Sequence, residues 1–165
     1  MTYWDQLGWK DRFAKPEFTR RQYDYRDGLG HDNVWTPQTV INGRVDVTGG
    51  RAAELAQAVK AGDRGTGGPL VSATKARIEV AAGKGAGDVW LVRYNPNIVQ
   101  VPIKAGENGG RTLPHRNVVT GLVRLGQWSG SAAGFARPAP VAGLSEAVLV
   151  QRPGGGAVLA ALKLK

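Results

Sequence analysis

Glycine and proline placement constrains this chain more than any other feature. Most of its 24 glycines and 9 prolines fall after residue 61, where they punctuate short apolar runs in the manner of strands joined by turns. Between the turns, residues 74–81 set Ala76, Ile78 and Val80 against Lys75, Arg77 and Glu79, the two-residue period of a half-buried strand. Further strands are predicted over residues 89–94, 98–103, 117–128, 147–151 and 157–163. Strands without an intervening helix point to a β-rich, sandwich-like module.

The first half reads differently. Residues 16–29 form a predicted helix, with Pro16 in its first turn, Phe18, Tyr25 and Leu29 on one face, and Gly28 or Gly30 to end it. Asn42-Gly43, flanked by β-branched residues, supplies the paired positive-φ positions of a tight hairpin. A second helix is predicted over residues 51–60, where Ala52, Leu55, Ala56 and Val59 share a face and Gly62 follows. Residues 61–69 hold four glycines and a proline without periodicity and read as a linker. The class is therefore α+β, with a helix, β-hairpin, helix unit over residues 1–65 and the β-rich module over 66–165. A hydrophobic fraction of 42% suffices for a core in either unit.

The formal charge of +9 favours an anionic partner. Nucleic acid is not favoured: only Arg20 and Arg21 are adjacent and no longer basic run forms an arm. The chain has no cysteine, which excludes disulfides, thiolate metal sites and thiol nucleophiles within it. No stretch approaches the ~18 apolar residues of a membrane span, and no basic leader precedes an apolar core at Met1, so no export signal is expected in this sequence. Tyr3, Trp4 and Trp9 crowd the opening, where chains are usually polar. Such rings need something to pack on, and sequence preceding Met1 is expected.

The runs YWDQLGWKD, FTRRQYDY and VWTPQTVING, with IKAGENGGRTLPHRNVV followed by LGQWSG, closely resemble a bacterial family catalogued as domain of unknown function 1223. The resemblance extends over nearly the whole chain. It implies a thioredoxin-like first unit, of which residues 1–65 would be the second half. In complete members an export signal, a strand and a Cys-x-x-Cys element at a helix start would precede the YWD motif. By resemblance, then, the family is periplasmic or secreted, its complete members are thiol-disulfide oxidoreductases or thiol-dependent binding proteins, and this chain is a truncated member unable to do dithiol chemistry. A Cys-x-x-Cys pair at a helix amino terminus owes its reactivity to the local backbone dipoles, and no residue here substitutes for it. Loss of the preceding strand would also leave the edge of the strand at residues 39–42 open.

Candidate sites follow from the same comparison. Thr36, Pro37 and Gln38 match the position where thioredoxin-like proteins hold a cis-proline in the substrate-peptide groove; the competing reading is a trans proline opening an edge strand. Trp4, Asp5, Trp9 and Lys10, with Asp11, would form the rim of the missing dithiol site, against a reading in which the tryptophans simply pack on the first helix. Glu107, Asn108, Arg111, Thr112, His115 and Asn117 form the densest polar cluster of the second half, either a ligand-facing loop with Glu107 paired to Arg111 or a loop that caps backbone groups.

Other motifs carry little. His31 and His115 lack metal-ligand spacing, so neither a metal nor another cofactor is expected, and a copper-handling role would lack ligands. Residues 143–147 miss the nucleophile-elbow pattern, because Ala147 stands where glycine is needed. The glycine-rich pieces lack the endings of phosphate cradles. Two functions stand: the thioredoxin-like envelope protein, whose partner is a protein or peptide, and a non-catalytic interaction module that binds an acidic partner through its basic surface.

Overall fold

A computed structural model describes residues 1–7, 10–106 and 108–164. After a short 3-10 helix at Thr2–Leu7, helix α1 spans Pro16–Gly28 and α2 spans Ala52–Ala61, with strands β1 (Thr39–Ile41) and β2 (Val45–Val47) between them. Nine strands follow: β3 (Val71–Ala73), β4 (Arg77–Val80), β5 (Gly87–Asn95), β6 (Val99–Pro102), β7 (Thr112–His115), β8 (Val118–Trp128), β9 (Ala133–Ala136), β10 (Ser145–Gln151) and β11 (Val158–Lys163). The α+β class and the helix, hairpin, helix order agree with the sequence. Short β3, β7 and β9 were not predicted, since two of them contain Pro114 and Gly134 and none is long enough to display a period.

Two sheets make the β-rich part a sandwich. One runs in the order β11-β10-β5-β8 and the other β3-β4-β9. Register places Val148 opposite Leu91 and Val150 opposite Val89, and all four side chains are fully buried. Facing them, Ile78 pairs with Phe135 and Val80 with both Val71 and Ala133, closing a core that includes Trp128. Each fully buried aliphatic side chain contributes about 1.5–3 kcal/mol.

Helix α1 crosses the opposite face of the larger sheet. At its start the Lys15 ammonium donates to the Thr120 carbonyl, and toward its end Arg21 and Tyr25 meet the Gln151 amide at 2.6 and 3.3 Å. Thr120 is the extra residue of a bulge in β8 where the register against β5 shifts, and a bulge frees a carbonyl that the ladder would otherwise consume.

The hairpin turn joins this seam. Asn42 and Gly43 take φ 51° and 62°, as the dipeptide predicts, and the Asn42 carbonyl accepts the Val158 N–H at 2.8 Å. Backbones approach so closely here that side chains do not fit. A Cβ on Gly28 would lie 2.5 Å from the Gly154 carbonyl oxygen, and on Gly43 or Gly155 closer still to the carbonyls of Gly156 and Asp24.

Candidate functional site

The β6–β7 hairpin stands apart from both sheets of the sandwich, and an open cleft of about 940 Å³ separates it from two loops of the first half. Its walls are built by alternation. Val99 pairs with His115 and Val101 with Leu113, so Val101, Ile103, Leu113 and His115 turn one face of the hairpin into the cleft. Val101 is almost fully buried. Opposite stand Asp11, Phe13, Thr36 and Pro37, with Val118 of β8 also lining the cleft.

Local hydrogen bonds hold the loop side of the cleft. The Asp11 N–H donates to the Asp5 carboxylate at 3.2 Å, and Asp11 Oδ1 accepts the Phe13 N–H at 2.9 Å, an Asx turn that presents the Phe13 ring. That ring lies 5.8 Å from the His115 ring, tilted by 48°. The Thr36–Pro37 bond is cis, as the resemblance implies. Behind it, buried Gln22 donates to the Trp35 carbonyl at 2.7 Å and accepts from the Tyr3 hydroxyl at 2.8 Å. Gln22 occupies the face predicted from Phe18, Tyr25 and Leu29, where a long amide replaces an apolar side chain.

The cleft therefore unites residues from two sequence-distant candidate sets. Thr36 and Pro37 meet Asn108 and His115 in its lining. Gln38 does not join them. Its amide donates to Asp46 at 2.8 Å, and the same carboxylate holds His31 Nε2 at 3.0 Å, in a polar network that continues to Gln22. Asp5 acts at one remove, through Asp11, while Lys10 is exposed outside the lining. Trp9 and Glu107 lie outside the described residues, as does the side chain of Trp4. Arg111 donates to the Asn108 amide oxygen at 3.2 Å. Asn117, at φ 54°, belongs to the turn into β8, and neither it nor Arg111 nor Thr112 lines the cleft.

Sequence reasoning missed Phe13, Val101, Ile103, Leu113 and Arg116. The period-two run Val99, Val101, Ile103 was a usable signal for the cleft face, but its partner strand is interrupted by Pro114 and shows no such period. Elsewhere, Asp88 raises the already high pKa of the Arg124 guanidinium, by a hydrogen bond first and by charge second, on an exposed part of β8 outside the cleft lining. Among the described residues no helix is long and apolar enough to cross a membrane.

Comparison with other proteins locates the chain. No curated protein matches it. The crystal structure of an Agrobacterium tumefaciens protein solved by a structural genomics consortium is similar to it, with 30% sequence identity and a TM-score of 0.76, over 99% of this chain and 77% of that one. The profile of a family described as "Protein of unknown function (DUF1223)" matches residues 1–151. With most of its length matched in this way, the chain belongs to the DUF1223 family.

Proposed function

We propose that the cleft between the Thr36–Pro37 loop and the β6–β7 hairpin is a groove for a segment of a partner protein. In this reading residues 1–65 are part of a thioredoxin-like unit, and longer relatives place a dithiol opposite Thr36 and Pro37. The observation that carries it is the shared lining: Thr36 and Pro37 stand across from Leu113 and His115, contributed by a strand far along the chain. An open, largely apolar groove with polar groups at its edge is suited to an extended protein segment, and its volume is at the upper end of the ~300–1,000 Å³ of ligand sites.

The proposed setting is the periplasm or the extracellular space. This chain has no cysteine, so its role there is binding, while disulfide exchange would belong to complete relatives. That step needs a thiolate to attack a disulfide sulfur and a second thiol to release the mixed disulfide.

Titration of the isotope-labelled chain with extended peptides tests the groove. Amide shifts are expected at Thr36, Leu113 and His115, and Leu113→Asp is expected to abolish them while the circular dichroism spectrum is retained. Shifts confined to residues outside the lining would sink the proposal. In-frame translation upstream of Met1 tests the thioredoxin-like part, which stop codons or the absence of Cys-x-x-Cys would refute. Where the pair is found, the extended protein should reduce insulin disulfides.

A further inference from the structure

The hairpin wall carries information about what the groove accepts. In an antiparallel pair only alternate residue pairs exchange both backbone hydrogen bonds. Pro102 and Pro114 have no N–H, so Pro102–Thr112 and Gln100–Pro114 are the non-exchanging pairs, and Val99–His115 and Val101–Leu113 carry the ladder. The next bond, from the Ile103 N–H to the Arg111 carbonyl at 2.8 Å, keeps that phase. The backbone groups directed away from the hairpin are consequently those of Gln100 and Pro102 on one edge and Thr112 and Pro114 on the other. Each edge thus presents a proline where a third strand would need a donor, and the Gln100 carbonyl already accepts from Arg12 at 3.4 Å. Prolines placed this way close an edge to strand addition. An occupant is left with side-chain recognition on the face of Val101, Ile103 and Leu113.

Among the described residues at the rim, basic side chains outnumber acidic ones. Arg116 lines the cleft and Lys104 lies between lining residues Ile103 and Ala105; both are exposed and neither forms an ion pair among the described residues. Arg12 projects beside Phe13, its guanidinium 4.9 Å from the ring centre. The acid of the described lining is Asp11, one oxygen of which accepts the Phe13 N–H at 2.9 Å. Glu107 lies outside the described residues. The chain as a whole carries +9, which attracts acidic partners to the rim.

We infer that the groove binds a partner segment in which apolar side chains are flanked by Asp or Glu, held by its side chains rather than by adding a strand to the β6–β7 hairpin. This rests on the groove reading above and specifies its ligand. Fluorescence anisotropy with the full 165-residue chain tests it, using a dye-labelled peptide with a Leu-Leu centre flanked on both sides by Glu and a counterpart with Lys in place of Glu. The Glu-flanked peptide should bind about tenfold more tightly at low salt, a preference of the size a few rim charges give, and the gap should narrow as salt rises. The exposed double substitution Lys104→Glu and Arg116→Glu should remove most of the preference without altering the fold. Backbone N-methylation of the peptide at alternate residues should change affinity by less than about threefold, because a backbone ladder contributes little to side-chain recognition. Equal affinity for the two peptides, or loss of binding on N-methylation, overturns this inference and leaves the groove intact. Binding of neither peptide overturns both.

Discussion

Replacing Glu146 is the most demanding test of how the sandwich is held together. Glu146 lies on β10 opposite Arg93 of β5 and is 4% exposed. One carboxylate oxygen accepts from Arg93 at 2.9 Å and the other from Arg137 at 2.8 and 3.2 Å. The two guanidiniums also donate to the carbonyls of Ala139 and Thr74, at 2.6 and 2.9 Å. Because Arg137 directly follows β9, the cluster ties the smaller sheet to the larger. Glu146→Ala removes the acid and leaves two guanidiniums, 17% and 10% exposed, without a counter-charge.

Breaking a buried ion pair from one side costs about 3–5 kcal/mol. With a urea slope of about 2 kcal/mol/M, the midpoint should fall by about 1.5–2.5 M. Replacing the whole cluster, with Arg93→Met, Arg137→Met and Glu146→Leu together, should restore stability to within about 1 kcal/mol of the parent, because apolar packing removes the desolvation cost along with the attraction. Urea unfolding followed by circular dichroism and tryptophan fluorescence measures both variants. A Glu146→Ala midpoint within about 0.5 M of the parent, or a triple variant as weak as the single one, would refute the reasoning.

The glycine seam predicts a graded series. Gly155→Ala combines φ 71° with a clash against the Asp24 carbonyl and should cost about 2–4 kcal/mol, whereas Gly154→Ala, at φ 62° but in open space, should cost about 1–2. Thermal melts should show that order, and equal effects would mean that close approach of α1 does not limit the site. Gln22→Leu should cost about 1–3 kcal/mol by removing the buried amide that donates to the Trp35 carbonyl. Hydrogen exchange should then quicken in residues 35–39 more than in β5 or β10, and peptide affinity for the groove should weaken. Uniform quickening across all elements would instead assign Gln22 a purely global role.

Local order was legible because its causes are local. Asn42 and Gly43 specify their turn through backbone sterics that need no distant partner. Pro16 opens α1 for the same kind of reason. Alternation of Ile78 and Val80 with charged neighbours announces a face to bury, though not what covers it. Where local cues conflict with the outcome, as in β7 with Pro114 and β9 with Gly134, long-range pairing supplies the strand and the sequence shows a loop. Gln22 illustrates the same limit, since an amide on an apolar face looks like a flaw until the Trp35 carbonyl and the Tyr3 hydroxyl are placed beside it.

By itself the sequence determined the α+β class, most elements, the absence of thiols and the family. It also separated Thr36 and Pro37 from Asn108 and His115 as unrelated candidates. Only the tertiary structure decided that these residues share a cleft, that Gln38 faces Asp46 instead, and that prolines close both edges of the hairpin wall. The physical reason is that a groove between distant segments depends on how α1 lies across the larger sheet and how the glycine seam lets the halves meet. Those are contacts between backbones and buried polar groups, and hydrophobic periodicity carries no trace of them.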